Sequence, residues 1–262
     1  MKTIAHGLIA ASLLVSAGTA LGDPMPICPD RPGRGTGTCT VPKGMVQIET
    51  GLVDWTHDEA ANFTADATTI GSTLIKYGVS DRADIELGVT PLIRLRATGT
   101  RTESGFGDTL LRVKYALTPN GAPVTVALDP FVKLPTANRI FGNGKVEAGL
   151  AVPVSAALGK SPLTLSLTPE VDWLADGDGN GHHAAMVQVV GLGLAATSRL
   201  TLGAELWGQW DWDPAGSGRQ ASADASAAYL VNGNVAIDGG ANFGLNDQTP
   251  DTEVYAGVSV RF

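Results

Sequence analysis

The stretch ADIELGVTPLIRLR, residues 83–96, decides the fold through its alternation. Ala83, Ile85, Leu87, Val89, Pro91, Ile93 and Leu95 fall on one side of an extended chain. Asp84, Glu86, Gly88, Thr90, Leu92, Arg94 and Arg96 fall on the other. A period of two belongs to a strand, because successive side chains of a pleated chain point to opposite faces. Residues 163–173 repeat the pattern, with Leu163, Leu165, Leu167, Val171 and Trp173 against Thr164, Ser166, Thr168, Glu170 and Asp172. Residues 200–210 repeat it again, setting Leu200, Leu202, Ala204, Leu206 and Trp210 against Thr201, Gly203, Glu205, Trp207 and Gln209.

Working outward from these segments, the rhythm continues from Gly44 to Phe262 and divides into twelve candidate strands. They lie near residues 44–55, 67–79, 83–96, 107–117, 124–135, 145–158, 163–174, 184–194, 199–211, 220–230, 235–245 and 252–262. Short turns (residues 80–82, 118–123, 159–162, 195–198 and 231–234) alternate with longer polar loops (56–66, 97–106, 136–144, 175–183, 212–219 and 246–251). Strands of about ten residues, longer than the usual soluble strand, are what a tilted crossing of a bilayer requires. Alternating short and long connections are the mark of a barrel with tight periplasmic turns and longer external loops. The expected architecture is therefore all-β: an up-and-down antiparallel transmembrane β-barrel of about twelve strands, of the bacterial outer-membrane type.

Lys2, the apolar run Leu8–Val15 and the small residues of Ala17–Gly22 make residues 1–22 a secretory signal. Residues 23–43 are rich in Pro and Gly and form an N-terminal segment, either a periplasmic tail or a plug tucked into the lumen. Residues 44–262 form the barrel. Cys28 and Cys39 both lie in the N-terminal segment and read as one local disulfide in an oxidising compartment. The chain is acidic, with a formal net charge of −8, and lacks the basic footprint of a nucleic-acid binder.

Charges on the polar faces need water or opposite charges, which a wet lumen provides. Glu49, Lys76, Glu86, Arg94, Arg96, Arg112, Lys114, Asp129, Lys133, Glu170, Asp172 and Glu205 are the expected lumen-lining residues. Tyr77, Tyr115, Tyr229 and Phe262 at one end of the apolar faces, and Trp173, Trp210 and Phe243 at the other, would form two interfacial girdles. The last strand ends on Phe262, the terminal aromatic by which the barrel-assembly machinery recognises such proteins. No cofactor, metal or catalytic group is expected. DGDGNG at residues 176–181 begins like a calcium loop, yet Val187 stands where its last acidic ligand belongs. The histidines His57, His182 and His183 fall in external loops without a spaced serine partner.

GFGDTLLRVKYAL at residues 105–117, PFVKLPTA at 130–137 and the ending at Phe262 resemble the outer-membrane family named for a meta-pathway of phenol degradation. The resemblance implies a barrel in the outer membrane that takes up small, aromatic or hydrophobic compounds, with membrane lipid, the assembly machinery and the solute as partners. The expectation is a passive channel and not an enzyme. A closed structural or adhesive barrel, and more remotely a barrel hydrolase, are the alternatives.

Overall fold

The computed structural model describes residues 26–119 and 121–262, so the expected signal at 1–22 lies outside the described residues. All the regular structure described is strand. Sixteen hydrogen-bonded segments compose twelve strands, four of them interrupted: β1 (Val46–Ala60), β2 (Phe63–Ile70 and Ser72–Ser80), β3 (Ala83–Val89 and Leu92–Ala97), β4 (Glu103–Gly105 and Thr109–Ala116), β5 (Val124–Leu134) and β6 (Glu147–Ala151 and Val154–Ala157). They continue as β7 (Leu163–Ala175), β8 (His182–Ala195), β9 (Leu200–Asp211), β10 (Gly218–Asn232), β11 (Val235–Gly244) and β12 (Thr252–Arg261). Each strand pairs antiparallel with the next. β12 returns to pair with β1 from Gln47↔Arg261 to His57↔Thr252, closing the sheet into a barrel. Closure removes the free edge that a bilayer could not hydrogen-bond.

The molecule is inside-out relative to a water-soluble sheet. Its largest fully buried side chains include Lys76, Lys114, Glu49, Asp84 and Asp129, while Ile75, Tyr77, Ile85, Leu111, Val113, Tyr115, Val171, Leu206 and Ile237 are exposed. An apolar surface this extensive belongs against hydrocarbon. The expected girdle residues Tyr77, Tyr115, Tyr229, Phe262, Trp173, Trp210 and Phe243 are likewise exposed on it.

The interruptions have local causes. Gly71, with φ of +73°, takes a left-handed step that a side chain disfavours, opposite a bulge between Gly51 and Val53. Pro153 in β6 has no amide hydrogen for the ladder. At Thr90-Pro91 the consequence is larger. Thr73 pairs with Val89 and Ile70 pairs with Leu92 in one unbroken register, so β3 follows β2 through its break at Gly71, and Leu87 and Leu92, five residues apart, are both exposed on the outer face. Such a break inverts the alternation beyond it. Ile93 and Leu95 therefore turn inward, and Arg94 and Arg96, expected in the lumen, lie exposed on the outer face.

A second expectation also changes. Residues 56–66 are not a long loop, because β1 and β2 run on to a tight turn at Ala61-Asn62. Above the bilayer a strand faces water on both sides and no longer needs an apolar face, so its sequence there looks like a loop.

Candidate functional site

The site is the lumen and the chain segment inside it. Inward residues are those whose ladder partners face the axis, and they include Gln47, Glu49, Lys76, Asp84, Glu86, Arg112, Lys114 and Asp129 on β1 to β5. Lys133, Glu170, Asp172 and Glu205 also face inward. Ten of the twelve expected lumen residues thus sit on the inner wall, and Arg94 and Arg96 do not.

Residues 26–45 enter from the short-turn end, where the Ile27 amide donates to the Gly233 carbonyl at 2.9 Å. Cys28 and Cys39 are joined in a disulfide with Cα atoms 6.4 Å apart, which makes the intervening residues a closed loop. The tip of this loop spans the lumen and meets walls of opposite character. On one side Asp30 reaches the basic patch of β2 and β4: it is 2.7 Å from Lys76 Nζ and also pairs with Arg112 and Lys114. Its backbone amide donates to Glu49 at 2.9 Å. On the other side two arginines meet the acidic patch of β9 to β12. Arg31 pairs with Asp238 at 2.9 Å, and Arg34 pairs with Glu253 at 2.6 Å and approaches Asp224 at 3.5 Å. The Arg34 amide donates to Glu205 at 2.7 Å. Aromatic faces complete the cradle, with the Arg34 guanidinium 4.7 Å from the Trp207 ring centre and that of Arg31 5.8 Å from Tyr255.

The returning limb is held by Thr38 against Thr125 at 2.7 Å and by the Val41 amide on Asp84 at 2.7 Å. Glycines make room for it. A methyl group on Gly78 would strike the carbonyls of Val41 and Pro42, and one on Gly257 would strike the Arg31 guanidinium.

Burial alone would favour the neutral form of Asp30, but Lys114, Lys76 and Arg112 outweigh it and hold the carboxyl well below the usual carboxylate range. The basic patch is itself neutralised from within, through Lys76–Glu49 at 2.8 Å, Arg112–Glu86 at 2.6 Å and Arg112–Asp129 at 3.1 Å. Further round the wall Lys133 bridges Asp108 at 3.0 Å and Glu147 at 2.9 Å. A cavity of about 300 Å³ remains between the loop tip and the β2–β4 wall, with Arg34, Thr36, Ser72, Leu74, Thr90 and Leu110 among its lining residues.

Sequence reasoning placed the wall and left residues 23–43 open between a periplasmic tail and a plug, without naming the side chains that hold the segment. Asp30, Arg31 and Arg34 lie in a stretch without periodicity; Asp30 meets Lys76, Arg112 and Lys114, and the arginines' partners Asp224, Asp238 and Glu253 are some two hundred residues away. Trp207 and Tyr255 interrupt otherwise polar inner faces, and that irregularity was the available signal.

A closed barrel with a lipid-facing apolar surface and a charged lumen defines a β-barrel of the bacterial outer membrane. The chain belongs to the family described as "Putative MetA-pathway of phenol degradation", whose model matches residues 29–262. Among solved structures it is similar to the COG4313 outer membrane channel from Pseudomonas putida F1, with a TM-score of 0.70 at 14% identity, covering 88% of this chain and 99% of that one. It is also similar to the translocator domain of the autotransporter NalP from Neisseria meningitidis (TM-score 0.53, 12% identity, 84% and 89% covered). The KdgM porin compares at a TM-score of 0.52 and 11% identity, with 82% and 99% covered. No curated protein matches the chain by sequence. These neighbours are channels and a translocator rather than enzymes.

Proposed function

We propose that this protein is a passive outer-membrane channel for small molecules, aromatic or hydrophobic ones in particular, and that residues 23–43 act as a plug in its lumen. The observation that carries the reading is the loop tip itself. It is bound to the wall by side-chain ion pairs and hydrogen bonds, with no strand pairing to the barrel, so it can leave without disturbing the barrel ladder. The walls it would vacate carry Glu49, Lys76, Glu86, Arg112, Lys114, Asp129, Lys133, Glu170, Asp172 and Glu205, which would then line the path. A cavity of about 300 Å³ lies at the lower end of ligand-pocket sizes and suits a small solute.

The protein is read as non-enzymatic. Its similarity to channels and a translocator supports that reading. Membrane lipid contacts the outer face, and the exposed Phe262 is the end presented to the barrel-assembly machinery.

The test is single-channel recording from the refolded chain in planar bilayers, with and without residues 23–43. Conductance steps that are rare in the full chain and frequent after deletion support the plugged channel. Silence in both, with a heat-modifiable folded barrel, refutes it in favour of a closed structural barrel.

A further inference from the structure

The break in alternation at Thr90-Pro91 places two arginines where a membrane protein ordinarily avoids them. Directly opposed residues in antiparallel strands share a face, so three outward rows can be read across β1 to β4. The first pairs Ile70 with Leu92 and is apolar. The next runs Trp55, Thr68, Arg94, Ser104, and the third runs His57, Asp66, Arg96. Trp55 pairs with Val254, itself exposed on the lipid side, which fixes the face. These rows sit at the long-loop end, hence at the outer leaflet.

Arg94 and Arg96 are exposed, and neither has an ion-pair partner among the described residues. The acids nearby are engaged: Asp66 holds one nitrogen of His57 at 2.9 Å, and Glu59 lies 3.8 Å from the other. A guanidinium beside hydrocarbon is tolerated at the interface when it reaches a headgroup oxygen. Two arginines two residues apart stand roughly 7 Å from each other on one face. That spacing lets each present its planar fork to an anionic oxygen of a large headgroup.

We propose that this outer face is a binding site for the phosphate groups of lipopolysaccharide, with Arg94 and Arg96 as the phosphate ligands and Trp55 seated at the boundary between acyl chains and sugar. The site lies on the opposite side of the wall from the lumen and stands whether or not the barrel conducts.

The experiment is native mass spectrometry of the refolded full chain in detergent with bisphosphorylated lipid A, and with the same lipid after phosphatase treatment. The expected result is a retained lipid A adduct that the dephosphorylated lipid does not form and that millimolar inorganic phosphate does not displace. Arg94→Gln with Arg96→Gln is expected to weaken retention about a hundredfold, roughly tenfold for each charge-assisted hydrogen bond removed. Lys160→Gln, in a periplasmic turn, is expected to change nothing. Equal retention of treated and untreated lipid A overturns the proposal without reference to any variant. So does unchanged retention in a double variant that still shows heat-modifiable mobility, an equal loss in Lys160→Gln, or displacement by inorganic phosphate.

Discussion

Replacing Asp30 with Asn tests how the loop tip is held. Among the described residues, Asp30 is the one carboxylate that the N-terminal segment contributes to the basic patch, and it touches Lys76, Arg112 and Lys114 at once. Breaking a buried ion pair by removing one partner ordinarily costs about 3–5 kcal/mol, because the remaining charge stays buried. Here Glu49, Glu86 and Asp129 remain beside the cations, so the deserted charges are not bare. We therefore expect the lower figure of about 2–3 kcal/mol against the docked loop, or roughly a 30- to 150-fold rise in the ratio of undocked to docked states. The barrel ladder is untouched, so the variant should fold with wild-type mobility on gels. Single-channel recording reads the ratio as open probability. An Asp30→Asn channel as quiet as the full chain, alongside a deletion variant that opens, would refute the claim that this ion cluster is the latch.

The pH dependence has a definite sign. The Asp30 carboxyl is held well below its ordinary value of about 3.9, so its contribution is fully present above that value and is lost only as pH falls through the lower docked value. The difference in open probability between Asp30→Asn and the full chain should persist from pH 7 down to about 4.5, and a difference that vanishes by pH 5 would contradict this. Reduction of Cys28–Cys39 should loosen the loop by about 2–3 kcal/mol through regained chain entropy, seen as faster proteolysis of the segment after thiol treatment with the barrel intact. Phe262→Ala should refold in detergent, since the main-chain bonds between Phe262 and Val46 remain. In cells it should accumulate unassembled, measured as loss of the heat-modifiable band.

Much of the barrel was legible in the sequence because lipid and lumen impose opposite demands on alternate residues. Ile85 and Leu87 against Asp84 and Glu86 admit one reading, and the structure has it. The same rule misread Arg94 and Arg96. Leu-Ile-Arg-Leu-Arg continues the alternation, and the break at Thr90-Pro91 follows the bulge between Gly51 and Val53, which shows only where β1 meets β12. Leu92 on the nominally polar face was the one discordant residue. Asp58 and Glu59 read as loop because a strand above the membrane loses the apolar half of its signal. The candidate site was legible by halves. Periodicity places wall residues such as Lys76 and Glu205, but the loop that meets them is positioned by distant charges. Asp30 is drawn to one wall and Arg31 and Arg34 to the other, and no local pattern records it.

If the lumen is a solute path closed by the N-terminal segment, small solutes enter liposomes only when that segment is gone. Liposomes containing the full chain, or the chain lacking residues 23–43, would be diluted into arabinose, benzoate or a large dextran, and swelling followed by light scattering. Rapid swelling in arabinose and benzoate is expected for the deletion variant, slow swelling for the full chain, and none in dextran for either. Folded barrels that admit neither small solute after the deletion would contradict it.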